Sequence, residues 1–339
     1  MQPVAILAAG MVTSVGSDAP SSCAAMRCAI DNFSDTRFID NHGEWIVGSQ
    51  VQLEQPWRGS KRLVHMVVPA IRECLASVPN VKSETIPVLL CVAEKDRPGR
   101  VRDLDTQIFE ELQSELGIRF HSGSSLVALG RIGGAIALDM ARKMTQQKRL
   151  PLCLIAGVDS FLVGETLKAY EAKQRLLTSR NSNGFIPGEA GAAVLVGPPE
   201  SAEDSILVCV GIGLGHEKAT IDSEEPLRAD GLAQAIRSAF VDSQARYEDV
   251  HYRLSSANGE QYWFKEAALA LTRTMRVRKQ QFHLWHVADC IGETGAAAVP
   301  CALGVALAAT RKSYAPGPGV LCQFGNDGGE RIAMVLKEH

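Results

Sequence analysis

Ser122 is the first residue in this sequence that could carry out chemistry. It stands in the segment F-H-S-G-S-S-L-V-A-L-G, which leads into a predicted helix rich in small residues that runs through Met144. A serine hydroxyl is a poor nucleophile at neutral pH unless an aligned base removes its proton. His121 is adjacent, but successive side chains of an extended segment point to opposite sides, so we do not expect His121 to be that base.

Glu189 is a second candidate, because it is the one acid in a glycine-rich loop. The loop reads N-G-F-I-P-G-E from Asn183 and continues into A-G-A-A-V-L-V, an apolar run typical of a strand buried on both faces. Glycine is favoured where a backbone takes a positive φ or approaches another backbone closely. The pattern predicts a tightly packed loop. This loop could be a purely structural turn or a functional loop, and the pattern does not decide between them.

Composition narrows the function classes. The chain has 339 residues, of which 46% are hydrophobic. Its net charge of -3 gives no electrostatic reason to expect nucleic-acid binding. The nine cysteines are scattered without metal-ligand spacing. The sequence contains no uninterrupted run of 18 apolar residues, the length that a membrane-spanning helix needs. We therefore expect reduced thiols, a soluble cytoplasmic protein and no metal.

A nucleotide cofactor is not expected either. Gly211, Gly213 and Gly215 follow an apolar run in the second half of the sequence. The third glycine comes too early for a dinucleotide-binding motif, and no helix is predicted to start there. The sequence therefore predicts no bound cofactor.

Five segments, taken in order, resemble motifs of the β-ketoacyl synthases, the condensing enzymes of the thiolase-like superfamily. The glycine-rich loop resembles their G-F-x-x-G-E-G-A-G-x-x-V-L motif, and S-S-L-V-A-L matches the residues that follow their nucleophilic cysteine. The resemblance covers nearly the whole chain. The segments are 10–16, 124–129, 152–159, 183–196 and 319–330.

The resemblance fails at the residues that carry out the family's chemistry. Aligning S-S-L-V-A-L without a gap puts Ser122 at the cysteine position, and Asn258 takes the place of the first active-site histidine. The second histidine maps to Glu293 or, with one residue deleted, to Gly292, and neither register keeps the family lysine. A glutamate can accept a proton, but as an anion it cannot donate the hydrogen bonds that stabilise a thioester enolate. Losing these interdependent groups together should reduce decarboxylative condensation to near background.

The resemblance implies an α/β thiolase-like fold. Two pseudo-symmetric halves, each with a mixed five-stranded sheet, would stack in an α-β-α-β-α layered arrangement. We expect the halves at 1–199 and 205–339, with a seam at 198–204 that contains two prolines and three acids. Helices rich in small residues that start near Ser125 and Pro300 are expected to form the buried central layer.

Two functions follow from this combination. One is a degenerate ketosynthase that serves as a scaffold, binding or partner protein. The alternative is an acyltransferase or thioester hydrolase in which Ser122 acts with Glu293, Asn258 or His286 in reassigned roles. Glu189 matches a glutamate that is structural in the family.

The partners implied by the resemblance are other proteins and acyl thioesters. A homodimer is expected, and an acyl carrier protein, acyl-CoA or another protein partner is possible, without nucleic acid or membrane. A basic cluster could meet an acidic carrier, although its residues favour a solvated helix end. Its members are Arg142, Lys143, Lys148 and Arg149.

Overall fold

The structure is a computed structural model that describes residues 2–147, 150–201 and 206–339; of Gln147 it describes the backbone alone. The predicted seam at 198–204 lies partly outside the described residues, and so do Lys148 and Arg149 of the basic cluster. Arg142 of that cluster is fully buried, and its Nη1 donates to Asp242 Oδ2 at 2.6 Å. It is therefore wrong to count Arg142 as part of a surface for an acidic carrier.

Strands and helices alternate along the chain. The described strands are β1 Val4–Val12, β2 Phe33–Ile39, β3 Trp45–Ser49, β4 Val88–Cys91, β5 Ser125–Val127, β6 Cys153–Ser160, β7 Glu189–Gly197, β8 Leu207–His216, β9 Tyr252–Ser255, β10 Leu284–His286, β11 Gly319–Gly325 and β12 Glu330–Glu338. The described helices are α1 Ala19–Arg27, α2 Gly59–Ala76, α3 Leu104–Leu116, α4 Gly133–Gln147, α5 Gly164–Ala172, α6 Asp230–Ser243, α7 Gln261–Thr274, α8 Ala288–Ile291 and α9 Ala298–Arg311.

The sheet has the same strand order in both halves of the chain. The first half runs β5-β4-β6-β7-β1 and the second β10-β9-β11-β12-β8, so that each half follows the order 3-2-4-5-1 in its own numbering. β1 and β8 pair antiparallel over three residue pairs, from Val4↔Cys209 to Ile6↔Leu207. This short ladder joins the two expected five-stranded sheets into one mixed sheet of ten strands. β2 and β3 form a separate hairpin.

Three hydrophobic clusters define the layers. The largest contains α4 and α9 together with side chains from both halves of the sheet. α2 and α3 pack on the outer face of the first half, and α6 and α7 pack on the outer face of the second half. The arrangement is α-β-α-β-α, as predicted. None of the described helices is long and apolar enough to cross a membrane.

α9 is a central helix, as its composition predicts. Twelve of its residues are buried, because a helix that is apolar on all sides is stable only when it is surrounded by the rest of the protein. The predicted start near Pro300 is confirmed, since α9 begins at Ala298.

The predicted start of the other central helix near Ser125 is wrong. Residues Ser125–Val127 form β5, and α4 begins only at Gly133, after a 3-10 turn over Gly130–Ile132. β5 pairs in parallel with β4, from Leu89↔Ser125 to Cys91↔Val127. This ladder satisfies the backbone groups of a run whose apolar pattern alone could form either a strand or a helix.

Gly157 allows β6 to contact the turn that precedes α9. A Cβ at this position would lie 2.3 Å from the carbonyl oxygen of Ala296, a backbone atom that has little room to move. We expect Gly157→Ala to lower the free energy of unfolding by about 3 kcal/mol, as overpacking of a core does. Urea denaturation measures this change. The matched control is Gly164→Ala, whose Cβ would come no closer than 3.7 Å to Phe38; equal losses in the two variants would contradict the close contact.

Candidate functional site

The turns that precede the two central helices meet at the centre of the molecule. One is the 3-10 turn Gly130–Ile132 before α4, and the other is the 3-10 turn Gly295–Ala297 before α9. Gly130 and Gly295 both have φ +50, a left-handed backbone that favours glycine. The two turns are equivalent in the two halves, and they contain the N-termini of the two central helices.

A carboxylate lies directly against each of these glycines. A Cβ at Gly130 would lie 1.9 Å from Glu94 Oε1, and a Cβ at Gly295 would lie 2.0 Å from Asp159 Oδ2. Glu94 follows β4, and Asp159 lies near the end of β6. Because β4 and β6 are parallel neighbours, both acids lie at the carboxyl ends of these strands, on the same side of the sheet. The absence of a side chain at the glycines makes room for the acids.

Two carboxylates, Asp159 and Glu293, occupy N–H groups of the turn before α9. Ala296 N–H donates to Asp159 Oδ2 at 3.0 Å, and Gly295 N–H donates to Glu293 Oε1 at 2.8 Å. Helix N-termini attract anions because their first N–H groups lack partners within the helix and the helix dipole is positive there. Side chains of the protein itself fill this anion-binding position.

Asn258 and Glu293 come together as the sequence alignment implies. Asn258 follows β9, and its Nδ2 donates to Glu293 Oε2 at 2.7 Å. Both residues are buried, with 7% and 2% of their surface exposed. Arg131 adds an ion pair to the same carboxylate, with Nε 3.1 Å from Oε2. The two oxygens of Glu293 are therefore fully engaged.

A second acid connects Arg131 to a further arginine. Asp327 Oδ1 lies 3.6 Å from Arg131, and Asp327 Oδ2 accepts a hydrogen bond of 2.5 Å from Arg175. Burial opposes ionisation of Asp327, but the two arginines outweigh it and lower the pKa of this carboxyl to about 2. Arg175 also donates from Nε to Glu260 at 2.7 Å. We call Arg131, Glu293, Asp327, Arg175 and Glu260 the central ion-pair network.

Arg97 completes the arrangement on the side of the first half. It pairs with Glu94, and its Nη1 donates to Asp159 at 2.8 Å. Burial raises the pKa of Asp159, although Arg97 opposes that shift. The guanidinium also lies 4.2 Å above the ring of Phe161, a cation–π contact.

Trp263 covers the central ion-pair network from α7. Its indole Nε1 donates to Glu260 at 3.1 Å, and the Arg131 guanidinium lies 4.8 Å from its ring centre. The sequence shows an aromatic segment here, Q-Y-W-F from Gln261, where ketosynthases have a threonine-rich turn. The structure assigns that segment to the first turn of α7.

The chemical repertoire of this junction is limited. The titratable groups that the structure brings together here are carboxylates, arginines and the phenol of Tyr170, whose pKa is raised by burial, and the arginines remain protonated at all physiological pH values. Each described carboxylate of the network has an arginine within ion-pair distance, so none is available as a free base. The arrangement can hold charge in a fixed geometry, but it offers no nucleophile at the helix N-termini.

Ser122 lies elsewhere. It is exposed in the turn before β5, and β5 and the 3-10 turn Gly130–Ile132 separate it from α4, so it does not lie at the N-terminus of a central helix. Leu129 and Gly130 occupy the turn in its place. Among the described residues, Ser122 has no hydrogen bond to Asn258 or Glu293. His121 is not a base for it, since its Nδ1 accepts the N–H of Gly123 at 3.0 Å.

The remaining sequence candidates are also accounted for. Glu189 is fully buried and accepts hydrogen bonds from Arg62, Ser160 and the N–H of Val51, which is the arrangement of a structural acid. His286 ends β10 at the outer edge of the sheet, near Asp289 rather than Glu293. Among the described residues, no three His, Cys, Asp or Glu side chains are grouped to hold a metal.

The sequence reasoning missed the arginines of the site. Arg131 stands in G-R-I-G-G at the start of a buried helix, and Arg175 stands in the approach to the glycine-rich loop. A charge among glycines and apolar residues was a usable signal, because a buried charge needs a partner. The partners themselves lie far away in sequence and could not be identified from it.

A cavity of about 380 Å³ lies beside Arg97 and Asp159. Its floor is apolar, with Leu63, Leu104 and Leu162 among the lining residues. Its rim includes Arg37 and Arg58, and both are exposed. The space next to the ion pairs is therefore partly open and cationic at its entrance.

Comparisons with known proteins identify the fold. No protein-family model and no curated protein matches the chain. Solved structures do, beginning with a type II PKS acyl-carrier protein in complex with its ketosynthase bound to the hexaketide: 13% identity, 99% of both chains and TM-score 0.82. The ketosynthase in complex with its chain length factor from Xenorhabdus doucetiae gives 12% identity, 100% and 98% coverage and 0.78.

A third solved structure, the ishigamide ketosynthase/chain length factor, gives 15% identity, 99% coverage of both chains and a TM-score of 0.75. At these identities the similarity shows the fold alone. The chain has the thiolase-like fold of ketosynthases and chain length factors.

Arg131 is expected to be essential for stability. Arg131→Met would leave the buried carboxylates of Glu293 and Asp327 short of a cation, and we expect a loss of about 4 kcal/mol in the free energy of unfolding. Urea denaturation measures it. The matched control is Arg228→Met, which removes an exposed pair with Asp230 at 3.5 Å and should cost less than about 1 kcal/mol. Similar losses in both variants would contradict the network's role.

Asp327 is expected to make the free energy of unfolding depend on pH in the acidic range. Its pKa is lowered from 3.8 to about 2 in the folded protein, so its contribution is present above pH 4 and is lost as the pH falls toward 2. The full contribution is about 2 kcal/mol. Unfolding free energies of the native protein and of Asp327→Asn, measured from pH 5 to pH 2, should converge in that window. A difference that stays constant with pH would contradict the lowered pKa.

Proposed function

We propose that this protein is a non-condensing relative of the ketosynthases that works as the partner subunit of another chain of the same fold. The observation that carries this proposal is the occupation of the helix N-terminus by Glu293 and Asp159. Condensation requires a nucleophile at such a terminus and donors for a developing oxyanion. Here the donors already bind carboxylates, and the carboxylates are held by Arg131 and Arg97.

The residues aligned with the family's catalytic positions support the same conclusion. Asn258 and Glu293 bond to each other, and Ser122 is remote from their contacts. Both oxygens of Glu293 already accept from an amide, an arginine and a backbone N–H, and these donors stabilise its ionised form and disfavour a role as proton donor. Acyl transfer or thioester hydrolysis through Ser122 gains no support, because His121 accepts a hydrogen bond inside its own turn.

A partner surface is available on the first half. β5 is the terminal strand of the described sheet, and α4 follows it directly. Leu129, between them, is 39% exposed, and apolar side chains of α4 are only partly buried: Ile136, Met140 and Met144. A free strand edge beside an apolar helix face favours pairing with another chain. Two of the similar solved structures combine a ketosynthase with a chain length factor.

We infer a ketosynthase-type chain as the occupant of this surface, in preference to a second copy. A protein that lacks its own reactive groups would contribute shape, stability or specificity to an active subunit. An acyl carrier protein would then be a partner of the assembly. The division into halves at 1–199 and 205–339 belongs to the same proposal and is supported by their common strand order. The free thiols of all nine cysteines support a reducing cytoplasm.

The absence of covalent catalysis has a direct test. Incubation with acyl-carrier thioesters, followed by intact-mass measurement, should leave this protein unmodified, whereas an active ketosynthase run in parallel should gain the acyl mass. Ser122→Ala should behave like the native protein. A stable adduct that disappears in Ser122→Ala would overturn the non-condensing assignment and favour the acyltransferase.

The partner surface is tested separately by Leu129→Arg. Placing a charge at the centre of a hydrophobic interface should weaken association with a co-expressed ketosynthase by about 2 kcal/mol or more. Analytical ultracentrifugation of the purified pair measures it. Val241→Arg is the matched control, because Val241 is 80% exposed on α6. A stable homodimer in the absence of the ketosynthase, equally sensitive to Leu129→Arg, would favour a second copy instead.

A further inference from the structure

A second cavity lies outside the central ion-pair network, at the outer edge of the second half. It measures about 260 Å³ and is bounded by the end of α1, by β9 and β10, by α8 and by α9. Its lining is mostly apolar and contains two aromatic rings. The residues that matter for its chemistry are Met26, Arg27, Trp285, Cys290, Val305 and Tyr314.

The shape and size of this cavity suit a flat ring system. Trp285 is held by Tyr252, whose ring centre lies 4.7 Å away, so one wall is a fixed indole plane. An apolar cavity of about 150 Å³ is enough to bind benzene. A cavity of about 260 Å³ therefore has room for about two fused rings with one substituent. Aromatic walls favour stacking or edge contacts with such a molecule.

The polar groups of the cavity are mostly donors. Arg27 is exposed at the mouth of the cavity, lies 4.4 Å above the ring of Tyr314 and has no hydrogen bond or ion pair to any described residue, so its N–H groups are open to solvent and to a ligand. Burial raises the pKa of Tyr314 to about 12 and that of the Cys290 thiol to about 11, which keeps both groups protonated at neutral pH. A ligand that satisfies this wall needs an acceptor.

The acids near the cavity are at its exposed side. Asp289 lies 2.8 Å from His286 Nδ1, an ion-pair distance, although the angle is not that of a hydrogen bond. Asp31 is exposed, and its charge contributes to the raised pKa of Cys290. Two of the charged groups that face the cavity are Asp289 and Arg27. Asp289 has His286 at ion-pair distance, which is a cation when its imidazole is protonated. Arg27 has no acidic group within ion-pair distance among the described residues. The unpaired charge is positive.

We propose that this cavity binds a planar aromatic molecule of about two fused rings that carries an oxygen acceptor, such as a carboxylate, toward Arg27. The rings would lie between Trp285, Met26 and Val305, and the acceptor would engage the free guanidinium. The site is separate from the proposed partner role and does not depend on it, because neither the central ion-pair network nor the apolar surface of Leu129 and α4 contributes to its lining.

The test uses 2-naphthoate as the probe and isothermal titration calorimetry of the full chain as the measurement. We expect saturable binding at one site, and binding of 2-naphthylmethylamine, which has the same rings with a cationic donor, to be weaker by about tenfold or more. Arg27→Gln should weaken 2-naphthoate by a similar factor and reduce its advantage over the amine. No saturable binding of 2-naphthoate, or equal binding of both probes, would overturn the assignment.

Substitutions that fill the cavity test whether 2-naphthoate binds there. Val305→Phe should abolish 2-naphthoate binding, whereas Val241→Phe, the same substitution on the exposed face of α6, should leave it unchanged. Met26→Trp narrows the cavity from the partly exposed end of α1 and serves if Val305→Phe does not fold, which thermal unfolding checks first. Binding that survives a folded cavity-filling variant would place the ligand elsewhere and overturn the proposal.

Discussion

The structure depends on carboxylates buried at the N-terminus of the central helix α9. Asp159 and Glu293 accept the N–H groups of the turn before α9, and Arg97 and Arg131 neutralise them. A buried carboxylate without a cation would cost several kcal/mol, and an arginine without an acid would cost a similar amount. The acids and arginines are therefore interdependent, and they fix the relation between the two halves of the molecule.

This interaction has a consequence for function. The N-terminus of a buried helix is the position at which an enzyme can stabilise a reacting anion, and here the protein's own anions take that position. The same contacts that stabilise the junction thus occupy the N–H donors of Gly295 and Ala296, and the proposed non-condensing role rests on this occupation. The apolar surface beside β5 and the cavity near Trp285 do not involve the ion pairs.

Buried ion pairs are not required to stabilise a fold, since well-packed apolar residues often do so equally well. They do impose geometry, because Arg175 must meet both Glu260 and Asp327, and Arg131 must meet both Glu293 and Asp327. These residues come from different elements of both halves. We infer that the network selects one packing of the halves over others of similar apolar contact.

The sequence by itself determined the fold class and the start of α9. Apolar runs, glycines and small residues are local signals, and their order along the chain is enough to identify the layers. The tertiary structure decided the register around Ser122, because S-L-V from Ser125 becomes a strand only through its ladder with β4. It also decided which acids pair with Arg131 and Arg175. Those partners are distant in sequence, and electrostatic contacts in a buried site depend on distances that only the folded chain defines.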